Sequence, residues 1–378
     1  MIIIINFWKK NNAVKRFLSV DIAKGMSIIA IVFGHIAYQY PFCQLVNTKD
    51  LFINLWHVAV FFLLAGFFIK DDQLVQPKLW FKKKFSSLYL KILYFYVPAV
   101  LLHNALIKIG WYSLESTDPV IKTYSMIDFA KQTVLAICFG GREPIVGAMW
   151  FVYVLFMALI GLSVVSWAIK KLAKDERQYE WMRGIALLAM CIVAGILSNK
   201  YGLTIRRFSN TFTAMLLIYV GKIMYQKMKL SFDNGYLAII CGLIAFEVAC
   251  MLGGVALNGN EYKDILQLLV AVPAVLYIIM YIGKHIEANV VGKAIAYVGK
   301  DSFYVMALHF VGFKFCTLAL QGIGYGGANL SDLTPVVGSN ILLLFLYVIF
   351  GVGFPLVFMW GFRNGKRILL KIMHNEKS

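Results

Sequence analysis

Apolar runs of about 16 to 23 residues recur along the whole chain, separated by short polar or charged stretches, and none of them alternates with a period of two. The runs cover roughly 22–40, 53–70, 88–107, 148–169, 184–199, 211–226, 235–257, 265–283, 296–318 and 340–361. Each is about long enough to cross some 30 Å of hydrocarbon as a helix. Backbone groups in lipid must bond within the protein, and without strand-like alternation helices are the remaining solution. The pattern predicts an all-α polytopic membrane protein with about ten transmembrane helices in one bundle. The longest stretch outside the runs is 108–147, and no internal repeat or low-complexity linker breaks the pattern. Residues 1–378 therefore read as a single membrane domain with short tails at 1–20 and 362–378.

Composition strengthens this picture. Hydrophobic residues make up 60% of the chain and charged ones 15%, with a mean hydropathy of +0.73, more apolar surface than a water-soluble domain can cover. With ten crossings, Lys and Arg on the side of the termini outnumber those in the opposite loops by more than two to one. That asymmetry places both termini in the cytoplasm. The net charge of +18 sits in short loops beside apolar helices, where membrane lipids account for it and nucleic acid is not an expected partner. The six cysteines show no paired spacing, so neither a disulfide framework nor a metal site is expected; Cys43 and Cys138 are the pair nearest to meeting on the outer side. The apolar start Met1–Ile5 is too short for a signal peptide and is followed by Lys9 and Lys10 without a cleavage site, so the N-terminus is expected to be kept.

The first run carries the most informative chemistry. Lys24 and His35 are eleven residues apart, which on a helix puts them on one face and roughly 16 Å apart. An ionisable group inside a membrane usually faces a bundle interior or a watery cavity and is a functional candidate by default. The competing reading of His35 is an interhelical hydrogen bond that merely holds the bundle. Glu247 lies within the seventh run and reads as a buried partner for another helix.

Four segments, DIAKGMSIIAIVFGH at 21–35, LWHVAVFFLLAGFF at 55–68, MWFVYVLF at 149–156 and GKDSFYVMALH at 299–309, together resemble the acyltransferase-3 family of integral-membrane O-acyltransferases, particularly its sugar O-acetylase-like branch. The likeness spans nearly the whole chain. It implies transfer of an acyl group from cytoplasmic acyl-CoA, with acetyl-CoA the first expectation, to a hydroxyl of a surface polysaccharide or its lipid-linked precursor. It also implies a bacterial inner- or plasma-membrane enzyme whose reaction needs no metal. Two positions depart from the common pattern: lysine stands at 24 where many members have arginine, and Ala65 precedes Gly66 where serine is common. Lys24 supplies a charge without a bidentate fork.

On this resemblance His35 is the catalytic base, or a nucleophile forming an acyl-imidazole, placed near the middle of the first helix. His309, in the ninth run and eight residues after Asp301, is the second catalytic candidate, with Ser302 near its face; a structural hydrogen bond is the alternative. Lys24 and Asp21, three residues apart, are expected at the donor mouth, and Lys82, Lys83, Lys84 and Lys91 around the coenzyme A phosphates. For each lysine alone, a positive-inside anchor is the competing reading. His57, Arg142, Glu143 and Trp150 are the acceptor-side candidates, against the alternative of an ordinary interfacial belt for His57 and Trp150; Arg206 and Arg207 are weaker ones. A glycan or lipid-linked oligosaccharide transporter is the alternative function. Its signature, paired broken helices in two corresponding halves, is not seen.

Overall fold

The structure is a computed structural model that describes residues 17–40, 47–202 and 207–375, with side chains to 365. Its helices are α1 (Leu18–Gly34), α2 (Ala59–Gly66), α3 (Asp71–Leu74), α4 (Pro77–Lys84), α5 (Leu90–Lys108), α6 (Met126–Ile137), α7 (Trp150–Leu172) and α8 (Glu176–Gly195). They continue with α9 (Phe208–Lys222), α10 (Gly235–Leu252), α11 (Val272–Ile286), α12 (Val290–Lys300), α13 (Ser302–Gly322) and α14 (Ile341–Asn375). The strands are β1 (Ala37–Tyr38) and β2 (Val336–Gly338), paired in parallel. Wide π-type turns extend several helices without a break, so that 50–66 and 77–108 are nearly continuous rods.

Among the described residues, seven helical stretches are long and apolar enough to cross a membrane, with Asp50–Gly66 a shorter apolar helix. All ten apolar runs fall on helical structure, but several boundaries differ from the pattern's prediction. The first run ends at Gly34 rather than 40, because the Ala37 N–H turns away to the Pro335 carbonyl and the chain enters β1. The ninth run is divided at Asp301 into α12 and α13, with the Asp301 carboxylate gripped by the Arg363 guanidinium at 2.6 and 2.8 Å. The expected C-terminal tail from 362 instead continues α14 to Asn375. Glu247 is exposed on α10 rather than buried.

α1 is the central strut, packed against α2, α11, α12, α13 and α14. Glycines set how close these helices come. A Cβ at Gly25 would overlap the Ile295 carbonyl of α12, and one at Gly299 would overlap the Asp21 carbonyl of α1. The α2–α9 crossing is built in the same way, with Gly66 against the Ile218 carbonyl and Gly221 against that of Leu63. In lipid, where hydrophobic burial gives helices little reason to associate, such small-residue contacts supply van der Waals packing.

Just beyond the α2–α9 crossing, Asp71 accepts from Arg183 at 2.6 Å and from Lys222 at 2.5 Å. Arg183 is fully buried and also bonds Glu180 at 2.6 Å and the Tyr179 hydroxyl at 2.7 Å. Burial raises the Asp71 pKa, but the hydrogen bonds and charges of Lys222 and Arg183 outweigh it and hold the carboxyl below its ordinary value. This cluster fixes the end of α2 opposite to the one that carries His57.

Candidate active site

The α1 backbone delivers His35 as the residue that closes its last turn, its N–H still bonded to the Ile31 and Val32 carbonyls. His35 therefore sits at the end of the helix and not near its middle, though it keeps the helical relation to Lys24. β1 follows at once, so its pairing with β2 fixes the chain just after the histidine.

His35 opens on a cavity of about 230 Å³ that is also lined by Asn54, His57, Trp150, Asn258 and Met306. Its ring centroid lies 5.2 Å from that of His309, which α13 presents from the opposite side, and 5.0 Å from that of Phe310. Three sequence candidates, His35, His57 and Trp150, thus share one cavity, and His309 stands directly behind His35.

His309 is completely buried, and its Nδ1 lies 3.0 Å from the Val305 carbonyl and 3.1 Å from that of Met306. A carbonyl only accepts, so this nitrogen carries the proton and Nε2 is left with a lone pair. Nε2 has no hydrogen-bond partner among the described residues. His57 is fixed in the same way, its Nδ1 donating to the Ile53 carbonyl at 2.7 Å. Both rings therefore keep an acceptor nitrogen. A buried unpartnered acceptor costs on the order of 1–3 kcal/mol, which a bound hydroxyl or N–H would relieve.

A family model for an acyltransferase domain, of the acyltransferase-3 type, matches residues 17–360. The chain belongs to the acyltransferase-3 family. It is accordingly an acyltransferase and a multi-pass membrane protein. Comparisons with curated proteins and with solved structures give no match.

In this acyltransferase the remaining sequence candidates lie apart from the cavity. Asp21 and Lys24 pair at 3.9 Å beside the α1–α12 crossing, near the other end of α1. Lys82 is exposed, while the Lys83 and Lys84 ammonium groups lie 5.5 and 4.3 Å from the centre of the Trp80 ring. Trp80 itself donates to the Leu159 carbonyl, so the lysine cluster is held against α7 rather than α1. Lys91 lies over Phe303 at 5.9 Å, next to the Asp301–Arg363 pair. That pair uses the Asp301 carboxylate, so it does not continue a polar path from Ser302 to His309.

Arg142 is exposed, whereas Glu143, 2% exposed, turns inward. Its carboxylate bonds Nδ1 of His103 at 3.0 Å and the Tyr112 hydroxyl at 2.7 Å, which removes it from the acceptor side. His103 also meets the Lys122 carbonyl through Nε2 at 3.1 Å and stacks on Tyr124 at 3.7 Å. Sequence reasoning missed His103, although an imidazole inside the run 88–107 was a signal of the same kind as His35. It also gave no role to Lys314, which is fully buried and donates to the carbonyls of Trp111, Leu330 and Asp332 at 2.9, 2.7 and 2.9 Å. Arg206 and Cys43 lie outside the described residues.

Proposed function

We propose that this acyltransferase moves an acetyl group from acetyl-CoA to a hydroxyl of a surface polysaccharide or its lipid-linked precursor, in the manner of the sugar O-acetylase-like branch. Its place is the bacterial inner membrane with both termini in the cytoplasm. The carrying observation is the convergence of His35, His57 and Trp150 on one cavity with His309 behind them. Trp150 offers an aromatic face to a sugar ring, and His57 and Asn258 offer polar atoms to its hydroxyls. The donor approaches from the Asp21 and Lys24 end, with Lys82, Lys83, Lys84 and Lys91 as diffuse cations for its phosphates.

In the reaction the acceptor oxygen attacks the thioester carbonyl as His35 takes its proton. The new C–O bond forms, the C–S bond breaks, and the proton passes to the departing thiolate. His309 is a positioning residue. Its Nε2 makes no hydrogen bond among the described residues, and its ring, 5.2 Å from that of His35, packs behind the base and limits where the His35 ring can sit. It does not polarise the carbonyl, because the proton it would need is committed to Val305 and Met306.

The test is transfer of radiolabelled acetyl from acetyl-CoA into glycan in membranes of matched expression. His35→Ala should lower transfer by about 10²- to 10⁴-fold. Lys24→Ala should raise the KM for acetyl-CoA with a smaller change in kcat. Product formation at the wild-type rate by His35→Ala would falsify the mechanism.

A further inference from the structure

Behind two walls of the cavity stands a cation with no matching carboxylate among the described residues. Arg207 stands at the start of α9, its guanidinium 5.6 Å from the centre of the Trp150 ring and its Nη1 donating to Asn258 Oδ1 at 3.0 Å. Trp150 and Asn258 both line the cavity, so Arg207 is joined to it through two of its walls. Among the described residues no carboxylate lies within ion-pair distance of Arg207 or of Arg142. The nearest acid in sequence, Glu143, is spent on His103 and Tyr112. The two arginines also act on each other: burial lowers the Arg207 pKa, the Tyr96 hydroxyl opposes this, and the like charge of Arg142 adds to it. A half-buried guanidinium held on Trp150 and Asn258, with no ion-pair partner among the described residues and the like charge of Arg142 acting on it, is a poor resting arrangement for the protein alone and a good one for a bound anion.

We propose that the acceptor of this enzyme is anionic, with a carboxylate or phosphate seated on Arg207 and Arg142 while the sugar that bears the reacting hydroxyl lies against Trp150. This rests on the acyl-transfer reading of the cavity and adds the charge class of its substrate. Arg207 holds the acceptor and takes no part in the proton transfer. The Asn258 bond and the Trp150 face fix the plane of its guanidinium, so two parallel N–H groups remain for a bidentate contact that lysine cannot reproduce.

The experiment follows radiolabelled acetyl from acetyl-CoA into the glycans of membranes that contain the full chain, and passes the labelled product over an anion exchanger. Retention is expected. Mild acid that cleaves glycosyl phosphates but spares acetyl esters then separates the two sources: a product that becomes neutral carried its charge as phosphate, and one still retained carried a sugar carboxylate. At limiting acceptor, Arg207→Gln should reduce labelling about 10- to 100-fold, with Arg207→Lys between it and wild type. Arg142→Gln, at an exposed side chain with no hydrogen bond among the described residues, leaves folding untouched and should fall in the same direction. A neutral labelled product, or wild-type labelling by both glutamine variants, overturns this inference and leaves the acyltransferase reading standing. Absence of any labelled glycan from wild-type membranes overturns both.

Discussion

Asp71→Asn should destabilise the protein by about 3 kcal/mol. The carboxylate accepts charge-assisted hydrogen bonds from Arg183 and Lys222, whose side chains are 0% and 2% exposed. Each such bond contributes about 1.5–3 kcal/mol. A carboxamide keeps one acceptor oxygen and no charge, so one bond and both charge attractions are weakened. The 30% exposure of the Asp71 side chain screens part of that loss, which brings the sum to the lower half of the range for breaking a buried pair, about 3–5 kcal/mol. The assay is thermal unfolding in detergent, followed by maleimide-dye labelling of the buried thiols of Cys191 and Cys316. Lys222→Met added to Asp71→Asn should recover about 1–2 kcal/mol, since it removes a buried ammonium that has lost its counter-charge. Acid offers an independent check. A carboxyl held below its ordinary value contributes stability above the unfolded pKa of about 4, and this is lost as pH falls through the folded value. Wild type should therefore lose stability below about pH 4 by tryptophan fluorescence, and Asp71→Asn should flatten that loss. A variant that melts within about 0.5 kcal/mol of wild type would refute the assignment.

Gly25→Val places side-chain atoms into the Ile295 carbonyl and should cost about 1–3 kcal/mol by parting α1 from α12, read as a lower melting temperature and a raised KM for the proposed acyl donor. Lys314→Met strands three part-buried carbonyls, and the 330–338 segment that supports β1 behind His35 should become open to limited proteolysis as kcat falls. His103→Leu leaves the Glu143 carboxylate buried beside Tyr112 without its imidazole, a loss of about 3 kcal/mol; in the Glu143→Gln background the same change should cost clearly less, and an equal cost would show that the pair is not coupled.

The polytopic character of the chain was legible because lipid makes one demand of every span: enough consecutive apolar residues, whatever they later pack against. The four motif segments carried the family for a related reason, since they are local strings whose order survives folding. The boundaries were less legible. Whether a run ends at Gly34 or goes on to residue 40 depends on the Pro335 carbonyl, some 300 positions away, and the division at Asp301 depends on Arg363.

The site was legible in its parts. His35, His57, Trp150 and His309 stood out as polar or aromatic groups in apolar helices, but that three of them meet at one cavity with His309 behind His35 is a property of how α1, α2, α7 and α13 cross. Glu143 shows the converse, for a glutamate in a glycine-rich loop reads as solvent-facing until His103 and Tyr112 are brought to it. The sequence by itself determined that this is a membrane protein, where its apolar helices run and which family it belongs to, because hydropathy and local motifs are carried by neighbouring residues. Tertiary structure alone decided which histidines meet, which charges are neutralised and that Arg207 is left beside two walls of the cavity, because charge balance and hydrogen-bond satisfaction are settled only between groups distant in the chain.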